Sequence, residues 1–320
     1  MAKSEVEEGR ELALHEVSGG PLVVGIPAYN EEKSIAKVVM KAKEYADKVV
    51  VCDDGSSDLT GAIAEALGAE VIRHEGNCGY GVALQSLFDR ARELEAVALV
   101  TFDADGQHMV EEIPSLVKPV LQGEADVVIG SRLLHEHMGE QMAPWYRKAG
   151  IKLITKVSNA ASKLSVKDAQ SGFRAYNWHA VNCLSMSEEG MGASVEILLQ
   201  ARKHGLRVKE VSTTCNYEDV ENSEHPVKHG AGVLMSLLKL IVEDKPLVFL
   251  GLPGALSLVL GTFFGVWMLR LYAVDHRIAT NWALASMTFV FMGFFFLSTA
   301  ITLYAIQRVV KRSDRNQRNH

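Results

Sequence analysis

The chain reads as an α/β protein, a mixed sheet flanked by helices, followed by a two-helix transmembrane hairpin. Three observations predict this. Short apolar runs, such as 22–26, 48–52 and 96–102, alternate with stretches of helical character, the strand–helix repetition of α/β sheets. Polar, chemistry-bearing residues follow one run after another, as a single ligand-binding edge of an open sheet requires. Finally, no Asp, Glu, Lys or Arg occurs from Pro246 to Leu269, nor from Ile278 to Gln307. Each run exceeds the roughly 20 apolar residues that cross a bilayer.

The elements follow in order. Residues 1–20 are polar and acidic, broken by Ser18-Gly19-Gly20-Pro21, and predict a poorly ordered leader. No signal-peptide pattern is visible there. A strand over 22–26 leads through Pro27-Ala28-Tyr29-Asn30-Glu31-Glu32 into a helix over 33–45. A second strand, 48–52, ends in Asp53-Asp54-Gly55-Ser56-Ser57-Asp58, where Ser57 or Asp58 caps a helix over 59–67. A third strand, 70–74, precedes Asn77-Cys78-Gly79-Tyr80-Gly81 and a helix over 82–94. The continuous apolar run 96–102 has the character of a buried parallel strand. A helix after Pro114 and a strand over 126–129 follow, the latter ending in Gly130-Ser131-Arg132. The stretch 145–164 predicts a basic amphipathic helix, suited either to an anionic membrane surface or to a core-facing position. Residues 168–176 read as turn-rich, 194–204 as a helix, 206–212 as a strand and 217–230 as a loop. The expected organisation is thus a leader (1–20), a catalytic domain (21–230), an interfacial linker (231–245), two membrane helices (about 246–270 and 282–306) and a basic tail (308–320).

Charge and cysteine usage narrow the function classes. A net charge of −6 argues against a nucleic-acid partner. The conspicuous basic residues, Arg308, Lys311, Arg312, Arg315 and Arg318, lie beyond the second apolar run and are opposed only by Asp314. The positive-inside rule places that tail, and with two crossings the N-terminal domain, in the cytoplasm. Cys52, Cys78, Cys183 and Cys215 show no paired spacing and read as reduced thiols. His135 and His137 read as solvated loop residues.

The chemistry centres on Asp103-Ala104-Asp105-Gly106-Gln107-His108, where the run 96–102 ends. Carboxylates one residue apart repel unless a cation sits between them, and hard oxygen donors suit Mg²⁺ or Mn²⁺. The bland alternative is a solvated Asx turn.

Taken together, Ile26-Pro27-Ala28-Tyr29-Asn30-Glu31-Glu32, Val51-Cys52-Asp53-Asp54-Gly55-Ser56-Ser57-Asp58, the Asp103 hexapeptide and Ser171-Gly172-Phe173-Arg174 resemble the family 2 glycosyltransferases with a GT-A, Rossmann-like fold. They occur in the family's order over roughly residues 21–220. Within that family the chain is most similar to the dolichol- and polyprenyl-phosphate hexose synthases, such as the dolichol-phosphate mannose synthases.

The resemblance implies roles. Pro27, Tyr29 and Glu31 would line the nucleotide-sugar pocket, with Asp53 on the base and Asp54 nearby. Asp103, Asp105 and Gln107 would hold the metal, the two aspartates also meeting the donor. Ser131 and Arg132, joined by Arg147, would meet the acceptor phosphate, and Asp103, Asp105 and Arg132 would be catalytic. Relatives place a further basic residue late in the domain; here Lys228 is the substitute, and the absence of an Arg in 222–230 puts mannose and GDP in doubt. Arg174 would either stabilise its turn or touch substrate, and Glu196 would be an ordinary solvent-facing helix residue.

The expected reaction is inverting transfer of a hexose from a nucleoside-diphosphate sugar to dolichyl or polyprenyl phosphate at a bilayer. One alternative is a transferase using UDP-glucose or UDP-N-acetylglucosamine. A processive polysaccharide synthase would carry Gln-x-x-Arg-Trp and more spans, neither of which is visible. A non-catalytic, membrane-tethered nucleotide-sugar binder would use the same aspartates. A homo-oligomer is left open.

Overall fold

The computed structural model describes residues 19–134, 155–156, 158–159, 162, 164–187, 190, 192–215, 247–275 and 280–317; for 275, 307 and 309–317 the backbone alone is described. The leader up to residue 18, residues 145–154 of the helix expected over 145–164, the loop 217–230 and the linker 231–245 lie outside the described residues, as do Arg147, Lys228, His135 and His137; residues 155–156, 158–159 and 162 of that stretch are helical.

The chain divides into two compact units, 1–237 and 238–320. The first holds a seven-stranded sheet in the order β3-β2-β1-β4-β6-β5-β7. Its strands are β1 (Leu22–Ala28), β2 (Lys48–Asp53), β3 (Glu70–Arg73), β4 (Ala98–Thr101), β5 (Val127–Ser131), β6 (Arg174–Asn177) and β7 (Val208–Ser212). The helices of this unit are α1 (Ile35–Ala42), α2 (Thr60–Ala66), α3 (Tyr80–Glu93), α4 (Ile113–Leu121), α5 (Trp178–Cys183) and α6 (Ala193–Lys203). The first four strands in space run parallel, with Gly25 of β1 opposite both Val50 and Thr101.

The sheet is mixed because β6 enters antiparallel between β4 and β5, Ala175 facing Val100 on one side and Val128 on the other. Strand β6 begins inside the stretch 168–176 that the sequence reads as turn-rich. Arg174, Ala175, Tyr176 and Asn177 carry little apolar signal, yet Arg174 is 1% and Tyr176 0% exposed. Their pairing is set by the two strands that enclose them, not by their own pattern.

Alternation along the strands divides the core into two layers. Val24, Ile26 and Val100 pack with Ile35, Val38 and Val39 of α1 and with Leu116 and Val117 of α4. Val23 and Leu99 point to the other face, against Leu84, Leu87 and Phe88 of α3, Val181 of α5 and Ile197 of α6. Apolar residues at i, i+3, i+4 and i+7 of α1 make that stripe. Asp58 Oδ1 accepts the Thr60 amide (3.0 Å) just before α2, whose N-cap position is Leu59 rather than the expected Ser57 or Asp58.

The second unit contains α7 (Leu252–Asp275), entered through a π-helical turn at Leu247–Gly251, and α8 (Thr280–Gln317). Segments Leu247–Val274 and Thr280–Ile306 are long and apolar enough to cross a membrane. They are mostly exposed, unlike the core helix of a water-soluble protein, with Leu256, Phe263, Phe291, Phe294 and Phe295 among the uncovered side chains. The two helices pack through small residues. A Cβ on Gly293 would lie 2.8 Å from the backbone of Gly254 and Leu258, and one on Gly261 2.8 Å from the Val290 nitrogen. Ser257 donates to the Phe289 carbonyl and Ser286 to that of Gly261, both at 2.8 Å, joining the helices by the polar and small contacts usual in lipid.

Candidate active site

Three strands of the first unit deliver acidic loops to one edge of the sheet, beyond their carboxyl ends. At the end of β1, Tyr29 is 47% exposed and Pro27 is buried in the strand. Asn30 takes a left-handed φ of 56°, and its amide donates to Ser56 Oγ at 2.9 Å while its side chain accepts the Ser57 amide at 2.9 Å. The Glu31 amide donates to Thr60 Oγ1 (2.7 Å), and Ser34 Oγ donates to the Glu31 carboxylate (2.7 Å). These bonds lock the first loop to the second. Burial, and then the charges of Asp103 and Asp58, push the Glu31 carboxyl above its ordinary value against the Ser34 hydrogen bond. Glu31 therefore shares an electrostatic field with the Asp103 motif.

At the end of β2 the neighbouring aspartates do different jobs. Asp53 Oδ1 accepts the Ser56 amide at 2.9 Å, shaping the turn, and Oδ2 lies where a Cβ on Gly61 would collide, at 2.2 Å. Asp54 is 3% exposed, and both its oxygens are engaged. Oδ1 meets His74 Nδ1 (2.6 Å) and the Cys78 amide (3.0 Å), and Oδ2 accepts the Gly79 amide (2.8 Å). Asp54, His74 and Cys78 bring three donor atoms within 4.8 Å of one another. At 2.6 Å the aspartate–imidazole contact is a hydrogen bond rather than the spacing of two ligands around one ion.

Asp103 and Asp105 stand just past β4. Burial alone would raise the Asp103 carboxyl, but His108 first, then Arg132 and the Tyr80 hydroxyl, hold it below the usual range. His108 Nε2 lies 3.8 Å from Asp103 Oδ2, its ring against Phe173 at 5.2 Å. Asp105 goes the other way: burial and the Asp103 charge push it up to about 6, against the amide of Gln107, which donates to its Oδ1 at 2.9 Å. The Gln107 side-chain carbonyl is turned to Cys215 Sγ, 3.8 Å away.

The donor set fits a hard divalent cation on two counts. Asp103 Oδ1 is buried and makes no hydrogen bond among the described residues. Gly172 faces it so closely that a Cβ there would stand 2.8 and 2.9 Å from the two carboxylate oxygens. Two mutually repelling carboxylates, one with an unsatisfied buried oxygen beside a glycine that adds no side chain of its own, are suited to oxygen-ligated Mg²⁺ or Mn²⁺.

The residues expected at the acceptor phosphate separate. Ser131 is fully buried, and its carbonyl accepts the Thr213 amide (3.1 Å). Its side chain does not reach the surface. Arg132 is held by a two-pronged bond to the fully buried Asp168, Nε at 2.7 Å and a terminal nitrogen at 2.9 Å. From there it still lowers the Asp103 carboxyl. Arg174 is committed to structure: its guanidinium donates to the carbonyls of Ser171, Ala169 and Ser194, each at 2.8 Å. Glu196 is 5% exposed rather than solvent-facing, because it accepts the Ser187 amide (3.0 Å) and the Gln200 side chain (3.1 Å) in the first turn of α6. Tyr80 and Asp168 carry no spacing signal that would mark them, and Gly172, although part of the Ser171-Gly172-Phe173-Arg174 motif, shows its closeness to Asp103 only in the fold.

A nucleotide-sugar-type edge, acidic loops past the ends of parallel strands and a cation-suited aspartate pair define a GT-A glycosyltransferase. Residues 23–184 match glycosyl transferase family 2, and the chain belongs to that family. It is similar to the UDP-N-acetylglucosamine–dolichyl-phosphate N-acetylglucosaminyltransferase of Methanococcus voltae, 31% identical across 66% of this chain and 89% of the relative. It is also similar to the polyprenol monophosphomannose synthase of Mycolicibacterium smegmatis, 30% identical across 60% and 76%. Among solved structures, the glucosyl-3-phosphoglycerate synthase of Mycobacterium tuberculosis, in complex with Mn²⁺, UDP and phosphoglyceric acid, shares the fold. Its TM-score is 0.55 at 20% identity, over 74% of this chain and 82% of that one.

Proposed function

We propose that this glycosyltransferase moves a hexose or N-acetylhexosamine from a nucleoside-diphosphate sugar to the phosphate of a polyprenyl or dolichyl lipid, with inversion. The observation that carries the reading is the aspartate pair at the end of β4, with a buried, unpartnered oxygen facing bare Gly172. One of the relatives described above is named for transfer to dolichyl phosphate and the other for making polyprenol monophosphomannose, and two membrane-length apolar helices accompany the domain.

Residues of the chain divide the work. Tyr29 and Glu31 with Asp53 form the nucleotide side, and Asp54 holds the adjoining loop. Asp103 and Asp105, with Gln107 beside them, would hold Mg²⁺ or Mn²⁺. Such an ion offsets the charge that grows on the departing nucleoside diphosphate. An oxygen of the lipid phosphate forms the new bond to the anomeric carbon as the bond to the diphosphate breaks, the electron pair leaving with the diphosphate. The acceptor is already an anion near neutral pH, so no strong general base is required. What it needs is relief from repulsion, and Arg132, with Arg147 and Lys228, supplies positive charge for that. The apolar helices keep the lipid's phosphate in the plane where the domain works, with domain and basic tail on the cytoplasmic side.

The test is incubation of detergent-purified protein with Mn²⁺, polyprenyl phosphate and, separately, UDP-N-acetylglucosamine, UDP-glucose and GDP-mannose, with lipid product identified by mass. UDP-N-acetylglucosamine is the first donor to try, given the name of the 31% identical relative. Product from one donor, lost in Asp105→Ala with the melting temperature kept, is the expected result. No lipid-linked sugar from any donor would overturn the reading.

A further inference from the structure

The entry to α3 is fastened to the end of β2 by Asp54, which accepts the amides of Cys78 (3.0 Å) and of the N-cap Gly79 (2.8 Å) and meets His74 Nδ1 at 2.6 Å. The other imidazole nitrogen of His74 meets Ser86 Oγ, further along α3, at 2.9 Å. Two points on the helix are therefore tied to one imidazole–carboxylate pair. Tyr80 is the first residue of that helix. Its hydroxyl lies 2.9 Å from the place a Cβ on Gly172 would occupy, the same place that lies 2.8 and 2.9 Å from the Asp103 oxygens. The hydroxyl and the carboxylate thus converge on one point, walled by a glycine.

We infer that Tyr80 is a positioning residue for Asp103, its hydroxyl holding the carboxylate in the orientation that presents an oxygen to the cation and diphosphate. This rests on the reading of Asp103 as a metal ligand. The Asp54–His74 fastening fixes where Tyr80 begins, and Tyr80 fixes the carboxylate. The second loop of the site is in this way mechanically joined to the third. The phenol faces the carboxylate across that point, as partners behind metal ligands commonly do. Gly172 completes the arrangement by leaving room for both groups.

The test is a Mn²⁺ titration of the full-length protein in detergent, followed by electron paramagnetic resonance, alone and with UDP. Tyr80→Phe removes the hydroxyl and keeps the ring. The expected result is a Mn²⁺ dissociation constant raised about 10- to 100-fold with an unchanged melting temperature. Most of the turnover should return at saturating Mn²⁺. In an Asp103→Asn background, Tyr80→Phe should add nothing further. Wild-type Mn²⁺ affinity in Tyr80→Phe, or an equal loss in both backgrounds, would overturn the inference while leaving Asp103 as a ligand. Wild-type affinity in Asp103→Asn itself would overturn the ligand reading, and the inference with it.

Discussion

Arg132 illustrates how much one side chain is asked to do. Its guanidinium neutralises Asp168, which is fully buried and would otherwise be an unpaired interior charge. Truncating one partner of such a pair costs about 3–5 kcal/mol. Arg132→Ala should therefore lower the melting temperature sharply, and the double variant Arg132→Ala/Asp168→Ala should recover part of the loss. A fully stable Arg132→Ala would show that Asp168 does not depend on it. Asp126 gives the pH counterpart. Arg207, outweighing partial burial, pulls its carboxyl down to about 2, helped by the Arg207 amide and Asn177. The folded carboxyl titrates below the ordinary value of about 3.9. Its contribution is complete above that value and fades as pH falls toward 2. Because Arg207 is 57% exposed, solvent screening keeps the contribution small. Asp126→Asn should cost stability at pH 7 and nothing further near pH 2, measured by thermal unfolding across that range.

Among the elements, legibility tracked how local the cause was. The strands before Asp53 and Asp103 announce themselves as apolar runs, and α1 as an apolar stripe. The strand β6 does not, because Arg174 and Asn177 owe their places to polar partners rather than to an apolar pattern: the Ser171, Ala169 and Ser194 carbonyls for the arginine, and Asp126, far off in sequence, for the asparagine at 2.9 Å. Glu196 misleads because its polar partners are Ser187 and Gln200 rather than solvent. In the site, the motif aspartates could be found by spacing, whereas Tyr80 and Gly172 are separated from Asp103 in sequence and meet it only after folding. The α7–α8 pair is a sharper case of position over identity. Gly293 lies against the Gly254 carbonyl oxygen and the Leu258 nitrogen, each 2.8 Å from a built Cβ, and backbone cannot yield as a side chain can. Gly293→Leu should separate the helices and lower the melting temperature in detergent, whereas Ala at exposed Phe294 on the same helix should leave it nearly unchanged. Equal stability of the two variants would remove the packing role.

For the whole molecule, the proposed reading has the two apolar helices crossing a bilayer. Two crossings would return the chain to the side from which it entered. Single cysteines placed near residue 19 and near residue 317, in a chain whose own thiols are replaced, should both react with an impermeant maleimide only from the cytoplasmic face. Labelling from opposite faces would mean a single crossing. The same proteins should stay with membranes in alkaline carbonate and leave with detergent.

The insertion of β6 between β4 and β5 has a consequence for biosynthesis. When β4 has left the ribosome, its partner on that side is still some seventy codons away, since Thr101 pairs with Arg174. At roughly 5–20 residues per second, the nascent chain shows an open hydrophobic edge for several seconds. Translation must bring out β5 before the strand that will join it to the rest. The half-made sheet is thus the stage most in need of a chaperone, well before the lipid-seeking end of the polypeptide has been synthesised.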